Sequence, residues 1–122
     1  MKINIKGTNL ELTPALSQYI EEKIGSLSKF LKNYEIESEV NVHVEVARST
    51  RHHHSGNVFK AEVNLELPKK ILQSVAEKED IRIAINKTRD ELRQEIKKYN
   101  QKSNIKNDKK SYREVLKRKG KA

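Results

Sequence analysis

A chain of 122 residues with 26 Lys+Arg against 17 Asp+Glu, a net charge of +9, has room for one compact core. It has no cysteine, which excludes a disulfide framework, a thiolate metal site and a cysteine nucleophile, and no run approaches the roughly eighteen apolar residues of a membrane span. The start alternates polar and apolar residues instead of building a signal-peptide core, so the protein is expected in the cytoplasm.

The charge is uneven: residues 1–100 hold 17 Lys+Arg against 15 Asp+Glu, whereas 101–122 hold 9 against 2. A polyanion is therefore attracted mostly to the end of the chain, without being identified by it.

Lys2 to Thr8 alternates Ile3 and Ile5 with Lys2, Asn4 and Lys6 and reads as a short strand, closed by Gly7 and Asn9. Thr13-Pro14 then supplies a side-chain cap and a proline at the first helical position. The stripe Leu16, Ile20, Ile24, Leu27 and Leu31 predicts one helix through this stretch, with Lys23, Lys29 and Lys32 off its buried face.

From about Ile36 the period shortens to two. Val40, Val42, Val44 and Val46 predict one strand, and Phe59, Ala61, Val63, Leu65 and Leu67 a second. A polar connection from Arg48 to Asn57, ending in Ser55-Gly56-Asn57, makes them an antiparallel hairpin. Pro68 stops the second strand, and Ile71 to Glu77 offers a third.

A last helix is expected from about Glu79 to Lys102, with Ile81, Ile85, Thr88, Leu92, Ile96 and Tyr99 facing the sheet and Glu79 and Asp80 at the positive end of its dipole. The order is β-α-β-β-β-α, an α+β domain over residues 1–102. Residues 103–122, rich in Lys, Asn and Ser, are expected to be a basic tail, disordered when free, with room for an induced helix around Ser111 to Lys119.

The parts needed for catalysis are few. The glycines at 7, 25, 56 and 120 form no phosphate loop, His52, His53 and His54 are adjacent instead of being spaced to ligate one metal, and the carboxylate pairs Glu21-Glu22, Glu79-Asp80 and Asp90-Glu91 suit solvated helix faces. The chain is expected not to be an enzyme and to need no cofactor. A hydrolase using His43 or the triple histidine is a distant alternative.

The informative pattern is on the last helix. At 100° per residue, Arg82, Arg89 and Arg93 fall within about 40° of one another and Lys97 about 40° further round, beside the buried stripe; Lys87, Lys98 and Lys102 occupy the far side with Asp80 and Glu91. A solvated face accounts for such charges too, but a planar guanidinium matches phosphate bidentately where solubility needs only Lys and Glu. With few aromatics for base stacking, the column points to the backbone and shape of folded RNA. A general binder of structured RNA, with most affinity in the tail, is the competing binding mode.

Two local motifs add a resemblance. Leu12-Thr13-Pro14-Ala15-Leu16 running into Lys23 and Leu27-Ser28-Lys29-Phe30, and Ala76-Glu77-Lys78-Glu79-Asp80-Ile81 followed by Ala84-Ile85 and Leu92, resemble the ribosome-hibernation promoting factors, also called ribosome-associated inhibitors or the sigma-54 modulation/S30EA group, over residues 1–102. The resemblance implies a four-stranded sheet with two helices on one face, similar to a double-stranded-RNA-binding domain. It also implies binding to 16S rRNA in the mRNA and tRNA channel of the small ribosomal subunit, and inhibition of translation by occupancy.

Lys23, Lys29, Lys98 and Lys102 match basic positions of the family, whereas Glu91 and Gln94 stand where relatives commonly carry Lys or Arg, and Arg82 where an aromatic is usual. The expected rRNA-binding set is Lys23, Lys29, Arg82, Lys87, Arg89, Arg93, Lys97, Lys98 and Lys102. The chain resembles the family's short form, expected to be monomeric when free and to bind neither membrane nor DNA.

Overall fold

The computed structural model describes residues 1–49 and 58–120, the side chains of 37 and 102–120 excepted. The His52-His53-His54 loop and the Ser55-Gly56-Asn57 turn lie outside these residues.

Four strands, β1 (Lys2–Thr8), β2 (Asn41–Ser49), β3 (Val58–Leu67) and β4 (Lys70–Lys78), form one sheet in the order β1-β2-β3-β4. β2, β3 and β4 are an antiparallel meander, while β1 runs parallel to β2, a pairing that needs a crossover. Helix α1 (Pro14–Gly25), a 3₁₀ segment (Ser26–Phe30) and helix α2 (Lys32–Glu37) supply it. Helix α3 (Ile81–Gly120) follows β4.

Alternation decides which face is buried. The register sets Ile3 and Ile5 beside Val42 and Val44, Val42, Val44 and Val46 beside Leu65, Val63 and Ala61, and these beside Leu72, Ser74 and Ala76. All sit on one side, and both long helices cover it: Leu16, Ile20 and Ile24 of α1 and Ala84, Ile85, Leu92 and Ile96 of α3 join the same core. Thr88, fully buried among them, bonds through its hydroxyl to the Ile85 carbonyl, so no polar atom of it is stranded. The other sheet face is open, with Asn4, His43, Asn64 and Gln73 in one row.

The ends of the elements follow their local chemistry. Thr13 caps α1 by accepting from the Leu16 N–H, with Pro14 in the first turn. The Asp80 carboxylate accepts from the Arg82 N–H at the start of α3. Gly7 is required because a Cβ there would meet the Leu10 carbonyl oxygen at 2.9 Å, and Asn9 turns the chain with φ 54°, a region asparagine tolerates.

Three boundaries differ from the sequence expectation. α1 stops at Gly25, and Leu27 continues its stripe from a 3₁₀ segment. The extra helix α2 occupies Lys32–Glu37, where the strand was expected to begin. α3 is one helix to Gly120 instead of ending near Lys102; from Ile81 to Lys119 the sequence holds neither proline nor glycine to break it.

Candidate nucleic-acid interface

α1 and α3 lie side by side on the sheet, and the seam between them collects the cations. On α3 the residues Arg82, Asn86, Arg89, Arg93, Lys97 and Asn100 recur at steps of 4, 3, 4, 4 and 3, a single face beside the buried stripe. Both ends of that face are tied to the first half of the chain. At one end the Tyr19 hydroxyl of α1 donates to Asn86 Oδ1 at 2.9 Å. At the other, Asn100 Nδ2 donates to the Phe30 carbonyl at 3.3 Å, and its Oδ1 accepts from the Tyr34 hydroxyl at 2.6 Å. Arg89 and Arg93 lie between these ties, along a groove whose α3 wall runs about 22 Å from Arg82 to Lys97.

Each tie carries a pair of cations on one ring. Arg82 and Lys23 stand 5.0 and 5.5 Å from the Tyr19 centroid; Lys29 and Lys97 stand 5.2 and 5.9 Å from that of Phe30. A ring's negative face attracts a cation without neutralising it, so each ring gathers charge from two different elements of the chain. The sequence expectation assigns no role to Tyr19 or to the Phe30 ring. Their role was signalled by Tyr19 preceding Lys23 by one helical turn and by the adjacency of Lys29 and Phe30.

Of the nine residues expected to bind rRNA, the structure brings six to this groove: Lys23, Lys29, Arg82, Arg89, Arg93 and Lys97. Arg93 is exposed and, among the described residues, has no ion-pair or hydrogen-bond partner. Arg89 is different, because its Nε and guanidinium N–H groups donate to Asp90 Oδ1 at 3.1 and 3.0 Å. Its fork must leave that carboxylate before it can grip a phosphate.

Lys87 and Lys98 project from the opposite flank of α3 and pair with Glu91 at 3.7 Å and Glu95 at 3.9 Å. The Lys102 side chain lies outside the described residues. Glu91, which departs from the family pattern, also accepts a hydrogen bond from Ser74 of β4, so it fastens α3 to the sheet.

The open sheet face carries Lys2, Lys6 and Lys60 against Glu45, Glu62, Glu66 and Glu77, and His43 contacts Glu66 at 2.9 Å. It does not match the concentration of positive charge in the groove. Among the described residues no group of three or more His, Cys, Asp or Glu is placed to hold a metal, and no helix is long and apolar enough to cross a membrane.

Burial, helped by the neighbouring Tyr99 hydroxyl, raises the Tyr34 pKa above its ordinary 10.0. Because the folded value is raised, its contribution is present at lower pH and lost as pH rises through that value. Tyr34→Phe is expected to cost about 1 kcal/mol near neutrality through the lost bond to Asn100 and to lessen the fall in stability above pH 10.0. Urea unfolding over pH measures both.

Fold and groove together define an α+β domain with a basic seam between two helices on one sheet face. The family model described as Sigma 54 modulation protein / S30EA ribosomal protein matches residues 3–104, and the chain belongs to that family. It is 31% identical over 106 residues to a ribosome hibernation promotion factor of Bacillus subtilis (strain 168), covering 87% of this chain and 52% of the relative. It is 31% identical over 109 residues to one of Lactococcus lactis subsp. cremoris (strain MG1363), covering 87% and 53%. The chain thus spans about half the length of the curated relatives it matches.

Among solved structures, the N-terminal domain of Thermus thermophilus Protein Y superposes with a TM-score of 0.67 at 25% identity, over 81% of this chain and 99% of that one. A ribosomal subunit interface protein from Coxiella burnetii shares the fold, with a TM-score of 0.66 at 19% identity over 82% and 98%.

Proposed function

We propose that this chain is a cytoplasmic ribosome-hibernation module. It docks the α1–α3 groove on 16S rRNA of the small ribosomal subunit, in the channel of mRNA and tRNA, and stops translation by occupancy and not by catalysis. The observation that carries this is the convergence of six cations on one groove, Lys23 from α1, Lys29 from the 3₁₀ segment and four from α3. Relatives named ribosome hibernation promotion factors support the ribosome as the partner.

The groove is suited to backbone recognition. Tyr19 and Phe30 are engaged by cations and unavailable as stacking platforms, and the charged groups are those that position a protein on phosphates without reading sequence. Residues 1–102 form the docking unit in this reading, and 103–122 are a basic extension that raises the rate of encounter.

If about five phosphates are engaged, affinity should fall with salt at a log–log slope of roughly 3 to 5. Cosedimentation with vacant small subunits over a salt series measures it, and absence of binding at low salt would remove the proposal. A general binder of structured RNA would be titrated away by excess duplex RNA. A channel-bound factor should instead compete with tRNA.

A further inference from the structure

We propose that β4 is a self-complementary edge at which a second copy of this chain adds its own β4, antiparallel, across a two-fold axis at Gln73, making one continuous eight-stranded sheet. This stands in place of the monomer expected from the sequence and is independent of the RNA reading, since the groove lies on the flank of α3 that faces α1, away from β4.

The sheet order leaves β1 and β4 as edges, each with a row of main-chain N–H and C=O groups open to a further strand. β4 keeps an unbroken register with β3 from Lys70 to Lys78 and has neither the proline nor the bulge by which edges are usually blunted. On its open face it exposes Ile71 at 62% and Val75 at 44%, with Gln73 between them. Its other face is occupied, because Leu72, Ser74 and Ala76 are buried.

Directly opposed residues of an antiparallel pair point to the same face, so the axis at Gln73 fixes every contact. Ile71 comes opposite the partner's Val75, and Val75 opposite the partner's Ile71, covering both apolar side chains. Gln73 donates one N–H to Glu62 Oε1 at 2.6 Å, which leaves its second N–H and its carbonyl oxygen for the partner's Gln73. Symmetry repeats each contact, as an isologous interface requires. The flank of α3 that borders β4 carries Lys87, Glu91, Glu95 and Lys98, two of each sign, and meets its symmetry mate without net repulsion.

The other edge refuses the same operation. Centred on Asn4, an antiparallel copy of β1 would set Lys2 against the partner's Lys6, and Lys6 against the partner's Lys2, and like charges directly opposed are destabilising.

Sedimentation equilibrium of the full chain from about 1 μM to about 1 mM tests this. The weight-average mass should rise from 14.2 kDa toward twice that value. Ile71→Lys and Val75→Glu, both at exposed positions, should each weaken association by about tenfold or more, with the circular dichroism of the fold unchanged. The double variant places lysine opposite glutamate in both symmetric pairs and should recover most of the loss. Within one chain the two positions are about 13 Å apart along the strand, so recovery reports contact between chains. A mass fixed at 14.2 kDa throughout would overturn the dimer. A double variant in which the two losses simply add would overturn the register.

Discussion

Replacing Arg89 and Arg93 together by glutamate will weaken binding to vacant small subunits by about 100-fold or more, while the melting temperature moves by only a few degrees. Hydrogen bonds to charged groups contribute about 1.5–3 kcal/mol each, and losing two of them exceeds the roughly 2.7 kcal/mol that corresponds to 100-fold. Both residues belong to the groove face of α3 and neither is part of the core, so the fold has little to lose. Arg89 gives up its bond to Asp90, an adjacent surface contact whose contribution to stability is small.

The control that gives this result its meaning is Lys87→Glu with Lys98→Glu, which changes the net charge by the same amount on the opposite flank of α3. A protein drawn to RNA by overall charge would lose similar affinity in both double variants. Docking through the groove predicts a loss below about tenfold for the lysine pair, the residue of long-range attraction screened beyond about 10 Å at 0.1 M salt. Equal losses, measured by cosedimentation at one ionic strength, would return the arginine column to being a solvated face.

The contrast between these two flanks shows how far the sequence could be read. Angular projection separated Arg82, Arg89, Arg93 and Lys97 from Lys87 and Lys98, because a helix has a fixed period whatever surrounds it. It could not say which flank faces α1. That depends on long-range ties, Tyr19 to Asn86 and Phe30 to Asn100, between residues more than sixty positions apart. Nor could it foresee that Asp90 holds Arg89, since neighbours in a helix point about 100° apart and only the length of the arginine stem closes the gap.

The strands were legible for the same reason the column was. Val40 to Val46 and Phe59 to Leu67 alternate strictly, and the apolar set is buried from Val40 to Val46 and from Ala61 to Leu67. The break in the first helix was not, because Leu27 and Leu31 stay in phase with Ile20 and Ile24 although Ser26–Phe30 winds more tightly. α2, only six residues long, is too short for a period to declare itself. The length of α3 is not legible because residues 103–120 are polar and lack a sustained apolar stripe, although they hold no helix breaker before Gly120.

Leu92→Ala should produce the reverse of the arginine result: a large loss of stability with nearly normal affinity per folded molecule. Leu92 is fully buried among the core residues that α3 sets against the sheet, and truncating such a leucine costs about 2–5 kcal/mol, depending on how far the cavity collapses. For a domain of this size that lowers the melting temperature by on the order of 10 °C or more. The groove stands on the helix above this site, its ends held by Tyr19 and Phe30 from outside the cavity, so the cations keep their places in every molecule that remains folded. Thermal unfolding and small-subunit binding, the latter measured well below the transition and scaled to the folded fraction, separate the two roles. If Leu92→Ala weakened binding by as much as the double arginine reversal while still folded, the groove would depend on core packing and not on the aromatic ties at its ends.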